Sequence, residues 1–280
     1  MMSVLSIKLR AYIESLRLFT SILVPAVVYI GGLVAGASYV SVPLLFAMIS
    51  FFLLAAGSMP LNDYFDREVD AIVHPKRGIP SKRVKPNELL FLSLGLFTIG
   101  VVISFFINWV CFGIVLFTLV FIFLYECFFK KMGLVGNVVV AFLSAMSFTF
   151  GSSALNQPFA SVFLSIIAFF LFTGREILKD VEDVSGDKGI RQTLPMNVGE
   201  KNAAIIGSVF IIAGAVVTPF PYLLNQLGEG YLFSIILVDI LGLYAVIKTL
   251  QDVNHTTRTV SLLRIASGLG IFSFLIGTVF

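Results

Sequence analysis

Apolar runs of about twenty residues recur along the whole chain, separated by short polar stretches. A helix needs a run of this length to cross a hydrocarbon core. The pattern predicts helices over 18–37, 43–61, 88–107, 109–129, 134–155, 159–179, 201–220, 230–249 and 260–279. The gap at Asn108 suits a tight turn, with Trp109 at the interfacial depth that tryptophan favours. The expected fold is an all-α membrane protein with nine transmembrane helices surrounding a central cavity. Residues 1–280 form a single domain in this reading.

Composition agrees. The chain is 58% hydrophobic and 12% charged, with a mean hydropathy of +1.00, which excludes an ordinary soluble domain. The first run is too long for the core of a signal peptide and lacks a cleavage site, so it reads as the first span. Cys111 and Cys127 lie in one apolar run and are too few for a disulfide framework. Gly31, Gly32 and Gly36 offer a close-packing surface, for a neighbouring helix or for another copy of the chain. Nothing points to nucleic acid.

Charge placement adds orientation. With nine spans, all 19 Lys and Arg fall on one side of the membrane, and the loops around Val40, Asn108, Asn156 and Gln226 have none. By the positive-inside rule that side is the cytoplasm, where the N-terminus lies.

Acidic residues then mark the chemistry. Asn62, Asp66 and Asp70 are spaced i, i+4, i+8 at the end of the second span. Glu176, Asp180, Asp183 and Asp187 are spaced i, i+4, i+7, i+11 at the end of the sixth. Each set forms one stripe if its helix continues, and both face the cytoplasm. Carboxylates near hydrocarbon are costly without partners. Hard oxygen ligands suit Mg²⁺, which takes one or two carboxylates and leaves the rest to waters and substrate phosphates. Two stripes clamping a diphosphate through bridging ions fit that chemistry, with Lys76, Arg77, Lys130 and Lys131 meeting the outer phosphate oxygens. His74 and His255 are isolated and offer no zinc or iron site. Asp239 falls inside the eighth span, where it either lines a polar cavity or makes a structural hydrogen bond. A cation or phosphate-compound transporter is the competing class, but transporter sites lie near the midplane at broken helices.

The motifs Asn62-Asp63-x-x-Asp66-x-x-x-Asp70 and Asp183-Val184-Ser185-Gly186-Asp187 resemble the paired signatures of the UbiA-type intramembrane prenyltransferases. Tyr125 and the run Lys131-Met132-Gly133-Leu134-Val135-Gly136-Asn137 resemble the segment after that family's fourth helix. The stretch Arg175 to Asp187 is most similar to the archaeal branch that makes digeranylgeranylglyceryl phosphate. The resemblance implies Mg²⁺-dependent transfer of a geranylgeranyl group from geranylgeranyl diphosphate to the hydroxyl of geranylgeranylglyceryl phosphate. It leaves an aromatic quinone precursor or a tetrapyrrole as alternative acceptors. It implies that Asn62, Asp66, Asp183 and Asp187 hold two Mg²⁺ ions, with Asp70 and Asp180 as further ligands or their supports. Asp66, Asp70, Asp183 and Lys131 become the expected catalytic residues. Tyr125 joins Lys76, Arg77, Lys130 and Lys131 on the diphosphate, and Arg17, Arg67 or Lys188 holds the acceptor phosphate.

Overall fold

Polar residues and prolines between the apolar runs set where helices begin. Asn108 is one such residue: its Oδ1 accepts from the Cys111 N–H at 2.8 Å, opening the next helix. Its Nδ2 donates to the Ser153 carbonyl at 2.9 Å, so the same side chain ties that start to a neighbouring helix end. Pro86 occupies the first turn of another helix, and the Lys85 N–H donates to Glu88 Oε2 at 2.9 Å.

A computed structural model describes residues 4–187 and 192–279. In chain order the helices are α1 (Val4–Ser15), α2 (Leu18–Ser21), α3 (Leu23–Val34), α4 (Val42–Phe65), α5 (Arg67–Val73), α6 (Pro86–Phe105), α7 (Trp109–Cys127), α8 (Leu134–Ser153), α9 (Val162–Asp187), α10 (Leu194–Val198), α11 (Glu200–Val217), α12 (Phe220–Leu223), α13 (Glu229–Gln251) and α14 (Thr256–Gly277). Among the described residues there are no strands.

Eight helical stretches, from Ser6–Val34 to Val253–Gly277, are long and apolar enough to cross a membrane. The sixth predicted span corresponds to α9, which is not one of the eight. α9 is apolar up to Thr173 and carries Arg175, Glu176 and Lys179 beyond it. Two helices outrun their predicted ends: α4 reaches Phe65 rather than 61, and α9 reaches Asp187 rather than 179. Both extensions carry acidic motifs, which hydropathy counts as loop but helical geometry accommodates. Within the first stretch, Arg17 adopts a left-handed conformation (φ 44°) that separates α1 from α2.

α4 packs along α6, α9 along α11 and α13 along α14, while α8 lies between α3 and α9. α14 also touches α3, so the last helix closes on the third. α3 and α8 approach backbone to backbone: a Cβ on Gly31 would collide with the Phe148 carbonyl, and one on Gly151 with the Val28 carbonyl. Phe51 and Phe150 stack at 3.9 Å between α4 and α8. The result is a closed set of helices in which the ends of α4, α7 and α9 and the start of α8 sit near one another.

Candidate active site

α4 stops at Asp66, which has left helical geometry (φ −85°, ψ 3°), and α5 restarts at Arg67. Backbone bonds from the Asp66 N–H to the Asn62 carbonyl and from the Asp70 N–H to the Asp66 carbonyl carry the helical path through, and the first acidic motif faces two ways. Asn62 and Asp66 turn towards α7: Asn62 Nδ2 donates to Glu126 Oε1 at 3.0 Å. Lys130 Nζ donates to Asp66 Oδ2 at 2.6 Å and to Glu126 Oε2 at 3.1 Å. Asp63 and Asp70 turn towards the N-terminal side. Arg77 Nη1 donates to both Asp70 oxygens, at 2.6 and 2.7 Å, and lies 3.8 Å from Asp63 Oδ1. Arg17 Nη2 donates to Asp63 Oδ1 at 2.8 Å. Asp63 and Asp70 are both buried, Asp63 at the edge of a polar cleft, so these arginines neutralise charges largely withdrawn from water.

The segment between α7 and α8 brings the second motif in. Phe129–Lys131 forms one turn of 3₁₀ helix. Gly133 follows with φ 53°, a conformation that glycine takes at little cost. A Cβ on Gly136 would press on the Phe129 carbonyl, so the turn is folded tightly back on the start of α8. One turn into α8, Asn137 Nδ2 donates to Asp180 Oδ2 of α9 at 2.8 Å. Lys130 on one motif and Asn137 on the other are therefore seven residues apart in a single tight segment.

The remaining expected residues are spread around this core. Tyr125 lies half-buried on α7 beside Glu126, and Lys131 is exposed where Lys130 is turned in. Asp183 is half-buried on α9. The backbone of Asp187 completes α9, but its side chain lies outside the described residues, as does the whole of Lys188. Arg67 turns back on α4, donating to the Tyr64 carbonyl at 2.8 Å and lying over the Tyr64 ring. Glu176 is held by Arg175 at 2.8 Å, with Lys179 at 3.7 Å.

Arg17, Lys76 and Arg77 come together even though sequence reasoning gave them to two different phosphates. With His74, Arg83, Glu14 and Asp63 they line a polar cleft of about 400 Å³ between the end of α1 and the loop after α5. Arg83 is partly neutralised by Glu14 at 2.6 Å. Four cations line the cleft against two acids, and three of the four, Arg17, Arg77 and Arg83, already pair with Asp63, Asp70 and Glu14.

Three pairings escaped the sequence reading: Glu126 with Asn62 and Lys130, Asn137 with Asp180, and Asp63 with Arg17, although Glu126 stood out as an acid inside an apolar run and Asn137 as part of a family-like segment. Only the Glu126–Lys130 spacing of i, i+4 offered a local signal. Asn137 and Asp180 meet only through the tertiary fold.

Among the described residues, no three His, Cys, Asp or Glu side chains are grouped to hold a metal ion by themselves. Magnesium does not require that, since substrate phosphates and water complete its shell. The donor set is all oxygen, and an ammonium group already sits between two of its carboxylates. Both features fit a hard cation that arrives with a diphosphate.

Residues 22–268 match the model of the UbiA prenyltransferase family. The chain belongs to that family. It is 36% identical to digeranylgeranylglyceryl phosphate synthase of Methanopyrus kandleri, over 95% of this chain and 98% of the relative. It is 34% identical to the enzyme of the same name from Pyrococcus furiosus, over 96% and 98%. A solved structure described as digeranylgeranylglyceryl phosphate synthase superposes with a TM-score of 0.85 at 30% identity, covering 97% of this chain and 99% of that one. A UbiA homologue of Archaeoglobus fulgidus bound to DMAPP and Mg²⁺ shares the fold, with a TM-score of 0.69 at 18% identity over 96% and 99%. For a UbiA-family chain, the helix ends joined by Lys130 and Asn137 are the natural place to look for prenyl-transfer chemistry.

Proposed function

We propose that this chain transfers a geranylgeranyl group from geranylgeranyl diphosphate to the free hydroxyl of geranylgeranylglyceryl phosphate, releasing diphosphate. The observation that carries the reading is the pairing of two sites of unlike charge. The acidic helix ends tied by Lys130 and Asn137 suit a magnesium diphosphate. The basic cleft of Arg17, Lys76 and Arg77 suits the phosphate of the acceptor. The names of the relatives in Methanopyrus and Pyrococcus support the same acceptor.

In this reading Asn62, Asp66, Asp70, Asp180, Asp183 and Asp187 supply the Mg²⁺ ligands and their supports. When bound, Mg²⁺ withdraws charge from the leaving diphosphate. Lys130 leaves its carboxylate partners for the diphosphate oxygens and stabilises the charge that grows there as the C–O bond breaks. Lys131 and Tyr125 border that place. Arg17, with Lys76 and Arg77, holds the acceptor phosphate and so orients the attacking hydroxyl; Arg67 and Lys188 are the other candidates for that task. The hydroxyl attacks the allylic carbon and releases its proton to a carboxylate or to the departing diphosphate. Apolar helices keep water from the allylic cation. In this reading the basic loops and the site lie at the cytoplasmic face of the cell membrane, and α9, the sixth span in chain order, brings the total to nine.

The test is a competition assay. Purified protein receives Mg²⁺, geranylgeranyl diphosphate and two acceptors, geranylgeranylglyceryl phosphate and 4-hydroxybenzoate. The expected product carries two prenyl chains on glycerol phosphate and is absent with Asp66→Ala and Asp183→Ala. Prenylated hydroxybenzoate as the main product would move the acceptor to the aromatic class.

A further inference from the structure

Glu126 is the one acidic or basic residue of α7, next to last in a helix that is otherwise almost wholly apolar. It is buried, and an acid there is costly without partners. Both its oxygens are used. Oε1 accepts from Asn62 Nδ2 at 3.0 Å and Oε2 from Lys130 Nζ at 3.1 Å, while the same ammonium donates to Asp66 Oδ2 at 2.6 Å. The two acids differ in depth: the Glu126 side chain is 5% exposed and that of Asp66 26%. An incoming cation therefore has readier access to Asp66 than to Glu126.

We propose that Glu126 is a positioning residue for prenyl transfer: it fixes which way the Asn62 amide faces and where the Lys130 ammonium waits, without itself touching metal or substrate. The inference rests on the prenyl-transfer reading above. Chemistry fixes the amide. An ionised carboxylate only accepts, so the end of Asn62 that meets Glu126 is its NH₂ group. The Asn62 Oδ1 is thereby turned away from Glu126, and oxygen is the one amide atom that a hard cation takes. An amide without such a partner rotates by half a turn at little cost and offers nitrogen instead. Lys130 is held by the same acid. Its side chain is only 14% exposed, and with Asp66 committed to a cation it needs another counter-charge on the protein side. Glu126, one helical turn earlier, supplies that charge and keeps the ammonium at the acidic helix ends before the donor arrives. A glutamine at this position has one acceptor oxygen for two donors, and its own NH₂ group opposes one of them.

Two measurements test this. The first is Mn²⁺ binding, read by electron paramagnetic resonance with the unreactive donor analogue geranylgeranyl thiolodiphosphate and no acceptor. Glu126→Gln is expected to weaken Mn²⁺ binding roughly tenfold. The same change made on top of Asn62→Ala is expected to cost less than about threefold, because its effect passes through Asn62. The second is steady-state kinetics. Glu126→Gln is expected to lower kcat roughly tenfold with KM for geranylgeranylglyceryl phosphate unchanged, and to add little on top of Lys130→Ala. Glu126→Asp keeps two acceptor oxygens on a shorter arm and is expected to recover part of both losses. Should Glu126→Gln fail to fold, Glu126→Asp carries the same two cycles against wild type. Losses that multiply in full in both backgrounds overturn the proposal, as does wild-type Mn²⁺ affinity and kcat in the variant, while leaving prenyl transfer intact. Wild-type protein that binds no Mn²⁺ with the analogue removes the prenyl-transfer reading itself, and the role of Glu126 with it.

Discussion

Lys130 holds two acids at once, Asp66 at 2.6 Å and Glu126 at 3.1 Å. On the proposed mechanism this ammonium gives way to a divalent cation and passes to the diphosphate. Replacing Lys130 with Ala is expected to lower kcat/KM by roughly 10²- to 10³-fold, the scale of losing one preorganised donor to a developing oxyanion. Lys131→Ala, at an exposed position, is expected to stay within a few-fold; steady-state kinetics with both substrates separates the two. Arg77 also has a structural task. It chelates Asp70, which is 3% exposed, so Arg77→Ala leaves a buried charge unpaired. That is expected to cost about 2–4 kcal/mol, read as a lower unfolding temperature in detergent. The double variant Asp70→Asn/Arg77→Ala is expected to recover part of the loss.

At the scale of helices, periodicity located the acidic motifs but not their division. Reading Asn62, Asp66 and Asp70 as one stripe ignores the drift of successive four-residue steps around a helix, whose path continues from α4 into α5. At about 100° per residue Asp70 falls within about 20° of Asp63 and about 40° from Asp66, so it joins Asp63 beside Arg77 while Asp66 meets Lys130. The pairings of Glu126 with Asn62 and of Asn137 with Asp180 were hard to see because each joins residues far apart in the chain. The apolar runs themselves were legible, since length and hydropathy report directly on the bilayer. Helix contact is where glycine matters. Gly151→Ala is expected to force α8 off α3 and to cost about 1–3 kcal/mol or more. Gly113→Ala, whose added Cβ would meet nothing within 4 Å, is expected to be neutral or mildly stabilising. Thermal unfolding of the two variants side by side checks this.

For the whole molecule, the basic loops and both acidic motifs are expected at one membrane face. With Cys111 and Cys127 replaced, single cysteines at Lys76 and Glu200 are expected to react with an impermeant maleimide only from the cytoplasmic side. Cysteines at Asn156 and Gln226 are expected to react only from the other side, and labelling of all four from one face would contradict the orientation. The donor and acceptor sites then share that face, one acidic with its metal and one basic. On the proposed assignment their failures are separable, since loss of the acidic set is expected to stop transfer to any acceptor and loss of the cleft only transfer to an anionic one. The most direct measurement is the kinetic response of Arg17→Ala and Lys76→Ala to the two substrates. KM for geranylgeranylglyceryl phosphate is expected to rise at least tenfold in each, with KM for geranylgeranyl diphosphate little changed. A rise confined to the diphosphate donor, or no change in either KM, would contradict the assignment of the basic cleft to the acceptor phosphate.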